Sequence, residues 1–231
     1  MRHWQTLVAR AVDDCDAAWV PGADAALLTA LRASPTGRRL LARCLANGVA
    51  PALMNVPAID VLATLPQCDW VLDRGEQLRS RIADLGCLAL APGVRKLVDR
   101  NAVRSLRTAL GGKRYDWLLG SGAELDGQMS EVRRLKGWRL VDQFMGDEDA
   151  FVRLIIERGL DEIGGALTGA PVLLRERVRL LFPPSDTGNT ADPWLPPGRA
   201  LRLMREGGSD AQALNPALRG LPQQAATAEA V

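Results

Sequence analysis

The sequence predicts an all-α protein: an irregular multi-helix globular domain, followed by a Pro-rich loop and a disordered C-terminal tail. Apolar residues recur at helical spacing along most of the chain, and no stretch alternates as a strand would. They make up 47% of the 231 residues, with a mean hydropathy of −0.03, as in soluble globular proteins. Glycine, proline and short polar residues stand between the apolar segments, where helices begin and end.

In the N-terminal half, a first helix is predicted over residues 4–19, with its apolar residues on one face and Pro21-Gly22 after it. Asn55, two residues before Pro57, has the position of an N-cap. Apolar spacing predicts further helices over 24–32, 36–46, 58–65 and 69–91, with Gly75 as a break and with Gly86 and Gly93 at bends or points of close packing.

The middle of the chain predicts a helical hairpin. Asn101 is the expected N-cap of a helix that Gly111 ends, and "KRYDWLL" begins a second short helix. Asp147 is expected to cap a later helix, which Gly164-Gly165 interrupts. The remaining predicted helices cover 125–145, 171–182 and 199–206.

These elements predict a helical domain over residues 1–182, with 1–66 as a candidate subdomain. Residues 183–207 form a Pro-rich loop plus a short helix, and 208–231 form the disordered tail. Trp194 lies in the loop and needs a surface on which to dock, either on its own domain or on a partner.

The residues needed for catalysis or metal binding do not occur in recognisable patterns. The cysteines at 15, 44, 68 and 87 include no CxxC pair, and His3 is the one histidine, so buried free thiols are expected rather than a zinc or redox site. Gly112-Lys113 is followed by Arg114, which breaks the P-loop pattern. We therefore expect a protein that is not an enzyme and that holds no cofactor and no metal.

The N-terminal segment predicts a cytoplasmic protein. Asp13, Asp14 and Asp16 fall where a signal peptide needs an uninterrupted apolar stretch. No window of eighteen uncharged apolar residues occurs, so no membrane span is predicted.

Positive charge is concentrated in residues 94–114, the basic hairpin segment. Its seven basic residues and one acid give +6, which leaves about −4 for the rest of a chain of net charge +2. This separation of charge is compatible with three roles: binding DNA, binding an acidic partner protein, or keeping the protein soluble. A DNA-reading second helix would begin with polar residues, and Trp117 fits that poorly. The basic residues are Arg95, Lys96, Arg100, Arg104, Arg107, Lys113 and Arg114.

Two segments resemble the SctK/YscK family of bacterial type III secretion systems. "DLGCLALAPGVRKLVDRNAVRSLRTALGGKRYDWLL", 84–119, resembles the family's central segment, and "LRERVRLLFPP" with the Trp-containing segment after it, 174–194, is similar to its C-terminal portion. The resemblance implies a non-enzymatic cytosolic adaptor of the sorting platform, at the cytosolic face of the inner membrane. Such an adaptor links the inner-membrane ring protein SctD to the pod protein SctQ. It is not itself inserted in the membrane, and it binds no nucleic acid and no small-molecule substrate.

On this basis the basic hairpin is expected to face an acidic surface of one partner, and exposed tryptophans are expected to anchor a contact. The alternative is a helical DNA-binding regulator that uses the same 94–114 hairpin. The candidate partner-binding residues are Arg95, Arg100, Arg104, Arg107, Trp138 and Trp194.

Overall fold

A computed structural model describes residues 2–53, 65–121, 124, 129–143, 147–184 and 192–210. Over these ranges the predicted all-α class is confirmed, with ten α-helices and no strand. Residues 58–64 of the predicted helix over 58–65, its cap at Asn55 and the tail from 211 onward lie outside the described residues. The α-helices are α1 Arg2–Asp14, α2 Ala25–Ala33, α3 Pro35–Gly48, α4 Gly75–Val94, α5 Arg100–Leu110, α6 Gly112–Ser121, α7 Glu131–Gln143, α8 Glu148–Ala166, α9 Val172–Arg179 and α10 Pro197–Glu206.

In the described part of the N-terminal half, three 3-10 helices connect the α-helices: Ala17–Trp19, Pro51–Leu53 and Leu65–Leu72. The predicted helix over 4–19 is therefore divided into α1 and the 3-10 helix Ala17–Trp19. The division falls at Asp16, whose carboxylate accepts a hydrogen bond from the Ala18 N–H and caps the 3-10 helix.

Local capping chemistry decides where the helices begin and end. The Asp147 carboxylate accepts from the Ala150 N–H at 2.9 Å, and Gly111 ends α5 with a φ of 78°, so both predictions are confirmed. The prediction of Asn101 as a cap is wrong. Asp99 caps α5 by accepting from the Ala102 N–H at 2.7 Å, which leaves Asn101 inside the first turn.

Gly164-Gly165 do not interrupt their helix, contrary to the prediction, because α8 runs to Ala166. An added Cβ at Gly165 would lie 2.6 Å from Cβ of Pro193. Glycine at position 165 therefore allows the 192–196 segment to approach α8, and it does not end the helix.

The core is built around α4, which is buried at every position from Ile82 to Val94. A helix that is apolar on all sides must be surrounded by others, and α6, α7, α8 and α10 pack against α4. The N-terminal helices join the same hydrophobic cluster, which extends from Leu7 to Met204. The chain thus has one continuous core over the described residues.

The contact between α4 and α8 depends on two glycines. A Cβ at Gly86 would overlap the backbone carbonyl of Ile155, and a Cβ at Gly159 would overlap that of Ile82. At the far end of α4, a Cβ at Gly93 would lie 2.7 Å from the Gly137 oxygen on α7. The prediction that Gly86 and Gly93 mark close packing is confirmed.

A buried ion pair ties α6 to α4. The Arg114 Nε lies 2.6 Å from Oδ1 of Asp84, and both side chains are at most 1% exposed. Ser209 donates to the same carboxylate, from its N–H at 2.9 Å and its hydroxyl at 2.7 Å. The predicted tail is therefore ordered at its start, because residues 208–210 fold onto Asp84. Removing one partner of such a pair typically costs about 3–5 kcal/mol.

Within the described ranges, no helix combines the length and the apolar composition that crossing a membrane requires.

Gly86→Ala should lower the free energy of unfolding by about 1–3 kcal/mol, because its methyl group forces α4 and α8 apart. Gly164→Ala is the matched control, since it lies on α8 with open space around its Cβ and should gain about 0.5–1 kcal/mol of helix propensity. Urea unfolding followed by circular dichroism measures both. Equal midpoints for Gly86→Ala and wild type would contradict the close contact.

Candidate interaction surface

The first part of the candidate surface is an arginine row on α5: Arg100, Arg104 and Arg107. These residues are spaced i, i+4, i+7, which places them on one side of the helix, and all three are exposed. The opposite side is buried through Leu106, Ala109 and Leu110. The helix is thus held by its apolar side and presents its guanidinium groups to solvent.

The basic hairpin segment is less uniform than its sequence indicates. Arg114 is fully buried on Asp84 and belongs to the core, whereas the other six cations of the segment are exposed. Arg107 pairs with Asp116 at 3.4 Å, with both side chains more than half exposed. A pair in that setting contributes at most about 1 kcal/mol, so Arg107 is still available to a partner.

A cleft of about 300 Å³ opens between the C-terminal end of α4 and the start of α7. Its lining includes Arg95 and Lys96 from the turn after α4, together with Arg134 of α7. Glu131, also of α7, is the acidic residue in the lining, and Pro92 and Leu135 supply apolar surface. Arg95, predicted from sequence as a binding residue, therefore lies in a concave and mainly basic environment.

Beside the cleft, the outer side of α7 carries apolar side chains. Val132, Leu135 and Trp138 are 75%, 42% and 39% exposed. Their spacing of three places them on neighbouring turns of one helical face. Trp138, predicted as a partner anchor, is accessible, whereas the adjacent Gly137 is buried against Trp194.

Trp194 itself is 2% exposed, so the prediction that it is an exposed anchor for a partner is wrong. The alternative, docking on its own domain, is what the structure shows. The Arg158 guanidinium lies 4.6 Å from the ring centroid, within cation–π range, and the Arg133 Nη1 donates to the Trp194 carbonyl at 3.3 Å. Trp194 thereby holds the Pro-rich segment against α7 and α8.

Glu162 completes this attachment from inside α8. Its carboxylate accepts the backbone N–H groups of Trp194 at 2.9 Å and Leu195 at 2.8 Å, and its Oε1 lies 3.2 Å from the Arg158 Nε. Burial raises the pKa of Glu162, and these N–H groups and Arg158 oppose the shift. By accepting these hydrogen bonds, the Glu162 carboxylate holds the segment that contains Trp194 and Leu195 on α8.

The two buried thiols, Cys15 and Cys87, lie in environments that keep them protonated. Burial raises the pKa of Cys87 to about 12 and also raises that of Cys15, and a thiol that stays protonated is a poor nucleophile. Cys15 and Cys87 are buried as predicted, Cys68 is half-buried, and Cys44 is exposed. In the part of the chain that the structure describes, no three His, Cys, Asp or Glu side chains converge as metal ligands would.

No protein-family model, curated protein or solved structure matches the chain.

The structure thus places the predicted binding residues that remain exposed at two positions. Arg100, Arg104 and Arg107 share one side of α5, and Arg95 borders the cleft whose other wall is the helix that carries Trp138. Sequence reasoning missed Lys96, Arg134 and Leu135 as parts of that cleft. The available signal was the apolar pair Val132 and Leu135, which lies on the side of α7 away from the buried Gly137 and Val141, whereas Trp138 borders that buried side.

Glu162→Gln removes the buried charge, so the difference in unfolding free energy between wild type and this variant should depend on pH. A carboxyl group whose folded-state pKa is raised above its ordinary value of 4.5 contributes stability that is fully present below that pH. The contribution is lost as pH rises through the folded pKa. The unfolding free energy of wild type relative to Glu162→Gln should therefore fall between acidic and neutral pH, measured by urea unfolding at each pH. A difference that is constant or rises with pH would contradict this account.

Proposed function

We propose that this chain is a non-enzymatic adaptor of a bacterial type III secretion sorting platform, which links the cytoplasmic domain of SctD to SctQ at the cytosolic face of the inner membrane. The sequence support is the resemblance of residues 84–119 and 174–194 to the SctK/YscK family. The first segment covers the C-terminal half of α4 together with α5 and nearly all of α6. The second covers α9 and the Trp194 attachment.

The observation that carries the proposal is the arginine row of α5 on a firmly held hairpin. α5 is capped at both ends by Asp99 and Gly111, and α6 is tied to the core through Arg114. These attachments pre-organise the α5 backbone, so a partner that binds it has to order only the arginine side chains. An exposed cationic row in this setting favours orientation and fast association with an acidic surface.

The proposal is tested with purified components. The chain is immobilised, and the cytoplasmic domain of SctD, SctQ and a random-sequence DNA duplex are passed over it at several salt concentrations. The adaptor predicts saturable binding of SctD and SctQ. Duplex binding that falls steeply with added salt, without binding of either protein, would instead favour the DNA-binding regulator.

Reversing Arg104 and Arg107 to Glu should lower the association rate with one of the two proteins by about tenfold at low salt, because rim charges act mainly on encounter. Biolayer interferometry measures that rate. Arg39→Glu with Arg43→Glu is the matched control, since both residues are exposed one turn apart on α3 and the net charge change is the same. If the control slows binding equally, or if neither variant changes it, the arginine row is not the contact.

A further inference from the structure

The cleft between α4 and α7 and the apolar side of α7 form one composite surface, the α7 groove. Leu135 belongs to both parts, because it lines the cleft and is also 42% exposed between Val132 and Trp138. From Val132 to Trp138 the helix rises by about 9 Å, close to two turns. This length matches the contact of a short helical segment that lies along a groove.

Charge is distributed asymmetrically around this groove. Among the described residues that line the cleft, the cations Arg95, Lys96 and Arg134 stand against the carboxylate of Glu131. Arg139 is exposed one turn after Leu135 on the same helix. Asp142 is likewise exposed one turn after Trp138. Around the strip the cations Arg95, Lys96, Arg134 and Arg139 thus outnumber the carboxylates of Glu131 and Asp142. A ligand therefore gains from apolar residues on its contact face and from acidic residues beside them.

Among the described residues, the other exposed large apolar side chains do not follow one another along a helical face. Leu27 and Leu40 of the α2–α3 pair are 46% and 51% exposed, as single positions on different helices. Isolated exposed leucines are ordinary on protein surfaces. The α7 groove differs because three apolar residues follow one helical face and a basic cleft adjoins them.

We propose that the α7 groove binds an acidic amphipathic helix of a partner protein, with Leu135 and Trp138 as its apolar contacts and Arg95, Lys96 and Arg134 as its charge contacts. The helix enters with its apolar face on α7 and its carboxylates toward the cleft. This is a second surface of the molecule, since the arginine row lies on α5. It does not depend on the type III secretion assignment.

The chain's own C-terminal segment lacks the required charge. Residues 211–231 contain one acid, Glu229, and one base, Arg219, for a net charge of zero. A ligand selected by a basic cleft needs a surplus of carboxylates, so charge favours a partner over this segment.

The test is a selection that assumes no partner. A phage-displayed library of helical peptides with all surface positions randomised is selected against the full-length chain and counter-selected against its Leu135→Asp variant. The proposal predicts enriched peptides with an apolar stripe at i, i+3, i+4 and i+7 and a net negative charge. Each enriched peptide is then synthesised and measured by fluorescence polarisation.

Leu135→Asp and, separately, Trp138→Ala should each weaken these peptides by at least about tenfold, as expected of central apolar contacts. Arg134→Glu should weaken them and reduce the salt dependence of binding. Leu40→Asp, an exposed leucine on α3, is the matched control and should leave affinity unchanged. Circular dichroism of each variant establishes that it is folded.

Enrichment of basic or non-amphipathic peptides, or equal binding to the Leu135 and Trp138 variants, would overturn the proposal. So would a dimer of the full-length chain that Leu135→Asp dissociates, because a second copy would then occupy the groove. Acidic amphipathic peptides that bind as predicted, together with failure of SctD and SctQ to bind, would support this inference and refute the proposed function separately.

Discussion

The contact between α4 and α8 is the constraint on which the rest of the structure depends. Gly86 and Gly159 let the two backbones meet, since a Cβ at either position would overlap the carbonyl of the opposite helix. The close approach is possible only with glycine at both sites. Once α8 lies against α4, the remaining faces of α4 receive α6, α7 and α10, and the candidate surfaces take their positions from these helices.

Buried polar groups attach the irregular segments to this frame. Asp84 receives Arg114 from α6 and Ser209 after α10, and Glu162 receives the amides of Trp194 and Leu195. Each carboxylate satisfies donors that would otherwise be buried without a partner, which is costly in a core. Because these attachments lie inside the molecule, the α5 arginine row and the α7 groove remain on its outside.

Sequence reasoning reached the all-α class and several helix ends because periodicity and capping are local signals. It predicted Gly86 and Gly93 as points of close packing. It could not identify Asp84 as the partner of Arg114, because that pairing joins residues far apart in sequence. The same limit explains the wrong prediction that Trp194 is exposed, because its burial depends on contacts with α7 and α8, which are distant in sequence. The cleft was missed because its walls come from two helices that are separated along the chain.

Native-state hydrogen exchange is the most direct test of the central role of the α4–α8 contact. The account predicts that the amides of α4 and α8 are the last to exchange and do so only with global unfolding. The amides of α2 and α3, at the edge of the core, should exchange through smaller openings. If the α4 amides exchanged as fast as those of α2 and α3 under native conditions, α4 would not be the helix that supports the others, and the account would be contradicted.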